Sequence, residues 1–443
     1  MLMFWMEPLF WGLIAAVAGV RLLLLLWYVW ENRRFARSRV ADLSGLERLT
    51  QEPKVALLMP CKGADEQLKQ NLAAILEQNY TNYEVLFIVE SEKDPAAGVI
   101  QQVINEHPTA KAKLVVAGLC GRCSQKIHNL LSALGLVEED TEILTFVDAD
   151  ARLRSPNWLA GLVKRLLRPG TAAVTTYRWL HPSAETFPNV LVSSLNASAA
   201  SLIASRKRRV VWGGGWAIWK KEFDKTKIAE RWAFTLSDDL VATRVLKQVG
   251  LQVDYEPACV VRSDVDYSWS SALEFLRRQY LIGRIYLPRL WFGMFLGATL
   301  GVVGFWGPAI AALELWLKAV PGSTLLAAVV GVVYLLHASL AVLRQSFGQV
   351  FGLQVGRRQF WWDVLGSPVL ALANWLIMLS AVVGRRVCWR GICYDLDRHG
   401  RVLQVARRDG QNACGSSSFP TDKKSTGDKL NEPEGLDSQS QAA

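Results

Sequence analysis

Hydrophobic and polar positions follow two regimes along this chain. Near the start and again late, apolar runs are long and unbroken. Residues 9–30, LFWGLIAAVAGVRLLLLLWYVW, carry a single charge, Arg21, and are long enough to cross the roughly 30 Å hydrocarbon core of a bilayer. Three further uncharged stretches, 291–313, 319–343 and 364–384, come late. Trp and Tyr flank several of them, as interfacial anchors do. Between the first and second of these segments, in a soluble block over 54–289, the apolar runs shorten. VALLMP (55–60), YEVLFIVE (83–90), KLVVAG (113–118), EILTFVD (142–148) and AAVTTY (172–177) alternate with longer amphipathic stretches at 66–79, 96–107, 125–137 and 157–168. Strands alternating with helices of this length predict βαβ units, hence an α/β fold with a mostly parallel sheet.

Charge orients the segments. The N-terminal stub has Glu7 and no Lys or Arg, unlike the basic start of a cleaved signal peptide. ENRRFARSR follows the first segment, so the positive-inside rule puts residue 31 onward, and the block after it, in the cytoplasm. Four crossings would leave the C-terminus outside, yet the membrane-proximal segment 385–408 carries seven Arg. One late segment is therefore expected to be re-entrant or interfacial. The 345–362 stretch, with Arg357, Arg358, Trp361 and Trp362, reads as interfacial, and the polar stretch 409–443 as a disordered tail. The apolar share of 51% is high for a wholly soluble enzyme, and the net charge of +10 suits anionic partners. The Arg clusters sit beside membrane segments, so nucleic acid is not the expected partner. Seven Cys form no paired framework and read as reduced thiols; Cys120-Gly-Arg-Cys123 is a lone CxxC without a second pair.

In a parallel sheet, ligands bind beyond the carboxyl ends of the strands. Three predicted strands end in Pro60-Cys61-Lys62-Gly63, Glu90-Ser91-Glu92 and Asp148-Ala149-Asp150. A D-x-D there offers hard oxygens to Mg²⁺ or Mn²⁺ between protein and phosphates; the same residues also suit a helix N-terminus. Ser237-Asp238-Asp239 opens a second helical stretch with more carboxylate than a cap requires. VVWGGGWAIW (210–219) combines glycines that allow close backbone approach with the aromatic faces of Trp212, Trp216 and Trp219. It reads as a wall of the site or as a tight turn between strands. LEFLRRQYLIGRIYLPRLW (273–291) reads as an amphipathic helix lying in the membrane interface.

These stretches together resemble the ceramide glucosyltransferases. VALLMPCKGADEQLKQNL, YTNYEVLFIVESEKDPA, QKIHNL, FVDADA and SDDLVATRVLKQVGLQ occur in that family's order over about 55–290, and WRGICYDL (389–396) is similar to its late signature. The resemblance implies a GT-A nucleotide-sugar domain, Rossmann-like, set between an N-terminal transmembrane helix and C-terminal ones. It implies transfer of a hexose, glucose, from a UDP-sugar to a ceramide-like or diacylglycerol-like hydroxyl, with inversion and with a divalent metal, Mg²⁺ or Mn²⁺. In this reading Asp239 is the general base with Asp238 beside it, and Asp148 and Asp150 hold the metal. Pro60, Lys62, Gly63, Glu90, Glu92, Lys126 and Asn129 meet the donor. Trp212, Gly214, Arg277, Arg278, Gln279 and Tyr280 meet acceptor or diphosphate. Two departures stand out: Ser91 replaces the family's nucleotide-binding Asp, and Arg277-Arg278-Gln279-Tyr280 is a degenerate form of its Gln/Arg-x-x-Arg-Trp motif. A processive polysaccharide synthase and a non-catalytic membrane scaffold are the rival classes.

Overall fold

The computed structural model describes residues 2–44, 49, 51–203, 210–319, 323–353 and 355–407; the expected tail 409–443 lies outside them. The expected βαβ alternation is present. Strands β1 (Val55–Pro60), β2 (Tyr83–Val89), β3 (Ala112–Val116) and β4 (Ile143–Val147) are linked by helices Leu68–Leu76, Pro95–Glu106 and Gln125–Leu134. Strand β5 (Thr171–Thr175) follows helix Trp158–Leu166, and β6 (Arg178–Pro182), β7 (Gly215–Trp219), β8 (Gln252–Tyr255) and β9 (Val261–Val265) come after it. The main sheet runs β3-β2-β1-β4-β7-β5-β8. Its first four strands are parallel, β7 enters antiparallel between β4 and β5, and β8 runs parallel to β5. Alternating residues feed the two faces of the sheet, with Leu58, Leu86 and Phe146 on one and Leu57, Phe87 and Val147 on the other. Both faces are covered, so the strand cores read as continuous apolar runs.

The stretch 210–219 thus becomes a strand of the central sheet as well as a turn. Gly213 and Gly214 lie in the turn, Gly215 opens β7, and Trp216 stacks on Phe146 of β4 with ring centroids 4.5 Å apart. Helix starts follow local capping: the Ser124 hydroxyl accepts from Ile127 N at 3.2 Å, and Ser237 caps the helix Asp238–Gln248.

The first helix runs from Leu2 to Ser44, well past the expected 9–30. Its second half is held by packing on the catalytic block: Ala36 is buried, and Arg39 makes a buried ion pair with Glu256, Nη2 to Oε2 at 2.6 Å. Pro8–Leu43, Pro288–Leu317 and Ser323–Val350 are long and apolar enough to cross a membrane. Leu9, Leu13, Val17 and Leu23 on the first, and Leu325, Val332 and Leu335 on the last, face outward, as lipid-facing positions do. Residues 345–350, expected in the interface, continue the third of these helices.

The last apolar segment, 364–384, is broken. Helices Arg357–Leu365 and Ser367–Ser380 meet at a 77° bend. The second has 14 residues, about 21 Å of helix at 1.5 Å per residue, too short to cross alone. The bent pair is either one broken span or a re-entrant loop, and the chain after it lies against the block 54–289. There 386–407 forms an antiparallel sheet of β10 (Arg386–Trp389), β11 (Ile392–Leu396) and β12 (Val402–Arg407). Its Val387, Ile392, Tyr394, Leu396 and Val402 join the core of the catalytic block. The expected basic segment 385–408 thus carries a sheet whose alternate positions are apolar and buried. Cys388 and Cys393, expected as free thiols, face each other across β10 and β11 and are disulfide-bonded.

Candidate active site

The ends of β1 and β4, the starts of two helices and the turn before β7 converge on one cavity of about 1720 Å³. Pro60, Lys62 and Gly63 enter from β1, Asp148 and Asp150 from β4, Lys126 and Asn129 from helix Gln125–Leu134, and Asp238 and Asp239 from helix Asp238–Gln248. Trp212 and Gly214 come from the turn, and Arg278 and Gln279 from helix Trp269–Tyr286.

Lys126 is the electrostatic centre. Its ammonium lies 2.8 Å from Asp148 Oδ1 and 3.3 Å from Asp238 Oδ2, and donates to the Gly213 carbonyl at 3.1 Å. Burial alone would lower its pKa, but Asp148, Asp238 and Asp239 outweigh that and raise it, so it is a fixed cation. Asp238 is buried. Desolvation pushes its carboxyl up to about 7 against the pull of Lys126. Its Oδ2 makes no hydrogen bond; the approach of Lys126 is an ion pair without hydrogen-bond alignment.

Asp239 is held differently. Its Oδ2 accepts from Gly213 N at 3.0 Å and its Oδ1 from Leu240 N at 2.7 Å, with the Ser237 hydroxyl also on Oδ1. These donors hold the carboxylate at the cavity wall. The glycines are required by close approach. A Cβ on Gly213 would stand 2.8 Å from Asp238 Oδ2 and 2.9 Å from Lys126 Nζ; one on Gly214 would stand 2.2 Å from the Trp212 ring and 2.7 Å from Asp148 Oδ2.

Asp150 lines the cavity with a half-exposed side chain. Desolvation by its surroundings raises its pKa, while Arg178, 3.5 Å away, opposes the shift. Asp148 and Asp150 present hard carboxylate oxygens to the cavity at the end of β4, and the buried Oδ2 of Asp238, on the far side of Lys126 from Asp148, makes no hydrogen bond. That chemistry fits Mg²⁺ or Mn²⁺.

Glu90 lies in an adjoining pocket of about 610 Å³ with Lys62, Gly63, Ser91 and Arg390. It pairs with Lys62 and, at 3.1 Å, with Arg407. Three expected site residues fall elsewhere. Glu92 is exposed and lines neither cavity. Arg277 donates to the carbonyls of Ser380 and Val383, both at 3.3 Å, capping the C-terminal end of helix Ser367–Ser380, where a cation is favoured. Tyr280 bonds Asn374 on that helix. Successive residues on a helix cannot all face one side, so only Arg278 and Gln279 of this quartet reach the cavity.

The cavity also gathers residues not expected there. Arg178 of β6 lies between the rings of Phe275 and Trp212, 5.4 and 6.0 Å from their centroids. Arg390 bonds the Lys62 carbonyl, and the Tyr394 hydroxyl accepts from Gln125 N at 3.1 Å. A lone Arg after a buried strand was the sequence signal for Arg178. Arg390 and Tyr394 lie within the late signature, but their placement depends on docking of the C-terminal sheet. Near the site, Cys120 and Cys123 Sγ are 3.0 Å apart, with a ring nitrogen of His128 within 4.8 Å.

Comparison with known proteins places this geometry. Over 81 residues the chain is 33% identical to ceramide glucosyltransferase 1 of Caenorhabditis elegans, covering 18% of this chain and 17% of that one. Over 61 residues it is 34% identical to the ceramide glucosyltransferase of Komagataella phaffii, covering 14% and 12%. The alignments therefore span under a fifth of these relatives' length. Among solved structures it is similar to a mannosyltransferase from Pyrobaculum calidifontis in complex with GDP-Man and Mn²⁺, with a TM-score of 0.44 and 18% identity over 81% of this chain and 99% of that one. It is also similar to glucosyl-3-phosphoglycerate synthase from Mycobacterium tuberculosis in complex with Mn²⁺, UDP and glucosyl-3-phosphoglycerate, with a TM-score of 0.34 and 12% identity over 52% and 84%. The profile of glycosyl transferase family 21 matches residues 11–402, from the first long apolar helix to the start of β12, and the chain belongs to that family.

Proposed function

We propose that this chain transfers a hexose, glucose, from a UDP-sugar to the hydroxyl of a ceramide-like or diacylglycerol-like membrane lipid, with inversion, from a catalytic block facing the cytoplasm. One observation carries the reading. The cavity that holds Asp148, Asp150, Asp238 and Asp239 continues along Leu24, Leu25 and Tyr28 of the first membrane-crossing helix and Leu290 and Met294 of the second. A water-soluble acceptor would have no use for that wall. The short alignments to ceramide glucosyltransferases support the same sugar and acceptor class.

The residues suit the chemistry. Asp239, held by Gly213 N and Ser237, takes the proton from the acceptor hydroxyl as the glycosidic bond forms. Lys126 and Arg178 place fixed positive charge where the diphosphate leaves. Asp148 and Asp150 would hold a divalent metal, which would supply Lewis-acid neutralisation of that diphosphate. Glu90, with Lys62 and Arg390, lines a pocket beside the diphosphate position that suits the nucleoside end of the donor. The apolar wall excludes water and suppresses donor hydrolysis.

The test is mass spectrometry of lipids after the purified chain, in vesicles containing ceramide and diacylglycerol, meets UDP-glucose and Mg²⁺ or Mn²⁺. A lipid gaining one hexose is expected. A polymer, or no glycosylated lipid at all, would overturn the reading.

A further inference from the structure

The lone Cys-x-x-Cys takes no part in the site above, yet the fold does not leave it alone. Cys120 and Cys123 lie in the turn between β3 and helix Gln125–Leu134, ahead of the Ser124 cap. His128, in the first turn of that helix, comes to meet them. Cys120 Sγ, Cys123 Sγ and a ring nitrogen of His128 all lie within 4.8 Å of one another. Both thiols are buried, 7% and 3% exposed. Cys123 N donates to Cys120 Sγ at 3.2 Å, which favours the thiolate. His128 Nε2 lies 2.9 Å from the Ala117 carbonyl. A carbonyl only accepts, so Nε2 carries the proton and Nδ1 keeps the lone pair a metal needs. An imidazole that ligates a metal is held by such a bond from its other nitrogen.

We propose that Cys120, Cys123 and His128 bind a zinc ion, at a site separate from the carboxylates of the cavity and independent of the substrate reading above. Softness separates the two sites: thiolates and imidazole suit Zn²⁺, whereas carboxylate oxygens suit Mg²⁺ or Mn²⁺. Two thiolates cancel the charge of the ion, so the buried cluster stays neutral. Zn–S bonds of about 2.3 Å in a tetrahedral site set two sulfurs about 3.8 Å apart. From their 3.0 Å separation the sulfurs part by less than an ångström, which side-chain rotation provides. Gly121 and Arg122 between them are exposed and leave the fourth position to water. A disulfide would use the two thiols but not the imidazole, so the cluster favours zinc over a redox pair. The role of the ion is structural. It fastens the turn that leads into Lys126 and Asn129, where Cys120 N donates to Gln125 Oε1 and Ser124 N to the Thr235 carbonyl, both at 3.0 Å.

The experiment measures metal in the full chain, purified in detergent with reductant, supplied with equimolar Zn²⁺ and then freed of unbound ions. About one zinc per chain is expected. Cys120→Ser, Cys123→Ser and His128→Ala should each lose it, and Asp148→Asn should keep it. Co²⁺ in place of zinc should give the intense thiolate-to-metal absorption of a sulfur site, absent from the two cysteine variants. Peptide mapping after iodoacetamide reads the site without any variant, and so decides the matter if the variants fail to fold. Zinc should shield Cys120 and Cys123 from alkylation, and Mg²⁺ should not. A parent chain that takes up no zinc, variants that retain it, or equal alkylation with and without zinc overturn the proposal. Recovery of Cys120 and Cys123 as a disulfide from the zinc-treated chain overturns it in favour of a redox pair.

Discussion

Asp239 accepts three hydrogen bonds and, in the proposed mechanism, must also accept a proton. The donors hold the carboxylate in one orientation and leave lone pairs facing the cavity. Asp238 beside it is buried, with a carboxyl raised to about 7 by desolvation; it faces Lys126 rather than the open cavity and positions that ammonium. Exchanging Asp239 for Asn keeps the shape and removes the proton acceptor. Asp239→Asn should slow transfer by about 10²- to 10⁴-fold while UDP binding stays near that of the parent. Single-turnover transfer to a short-chain lipid reads it directly. A silent Asp239→Asn with an inactive Asp238→Asn would move the base to Asp238 and leave Asp239 as a helix cap.

At the scale of elements, two contacts join segments far apart in sequence. The lower half of the first helix is tied to the catalytic block by Arg39 and Glu256, whose side chain is 1% exposed. Glu256→Ala leaves a buried guanidinium without its main counter-charge. The expected loss is about 3–5 kcal/mol, measured by chemical denaturation in detergent; a change under about 1 kcal/mol would mean water or Asp42 takes over. The second contact joins the end of β2 to β12 through Glu90 and Arg407. Burial alone would raise the Glu90 carboxyl, but Lys62 and Arg407 together hold it below the ordinary 4.5. With its folded pKa depressed, Glu90 contributes stability that is present above about pH 4.5 and is lost as pH falls through the lower folded value. Glu90→Gln should therefore be less stable than the parent at pH 7, with the gap closing on acidification. A gap that widens toward acid would contradict the ion pair.

At the scale of the molecule, the catalytic block shares its core with the C-terminal sheet. The pattern over 54–289 alone suggests a block that folds by itself. The structure completes its core with Val387, Ile392, Tyr394, Leu396 and Val402 from the C-terminal sheet. A chain ending at Gly384 exposes the surface those side chains cover. It should be proteolysed within the catalytic block far faster than the full chain, and an unchanged digestion pattern would show the sheet to be dispensable.

What the sequence by itself determined was local. The four linked strands, the apolar segments long enough to cross and the carboxylates at strand and helix ends all follow from periodicity and composition within a few neighbouring residues. Where a property depended on partners distant in sequence, tertiary structure decided it. Arg277 and Tyr280 left the site because helix Ser367–Ser380 offered carbonyls and Asn374 on the other side of their helix. Strand β7 took its place between β4 and β5 because the sheet needed an apolar strand there, although its sequence, GWAIW, also reads as the end of a turn. Arg21, a lone charge in a hydrophobic run, found room only where Gly297 and Gly301 on a helix far along the chain face it. Periodicity states which face of an element is buried; only packing states what that face meets.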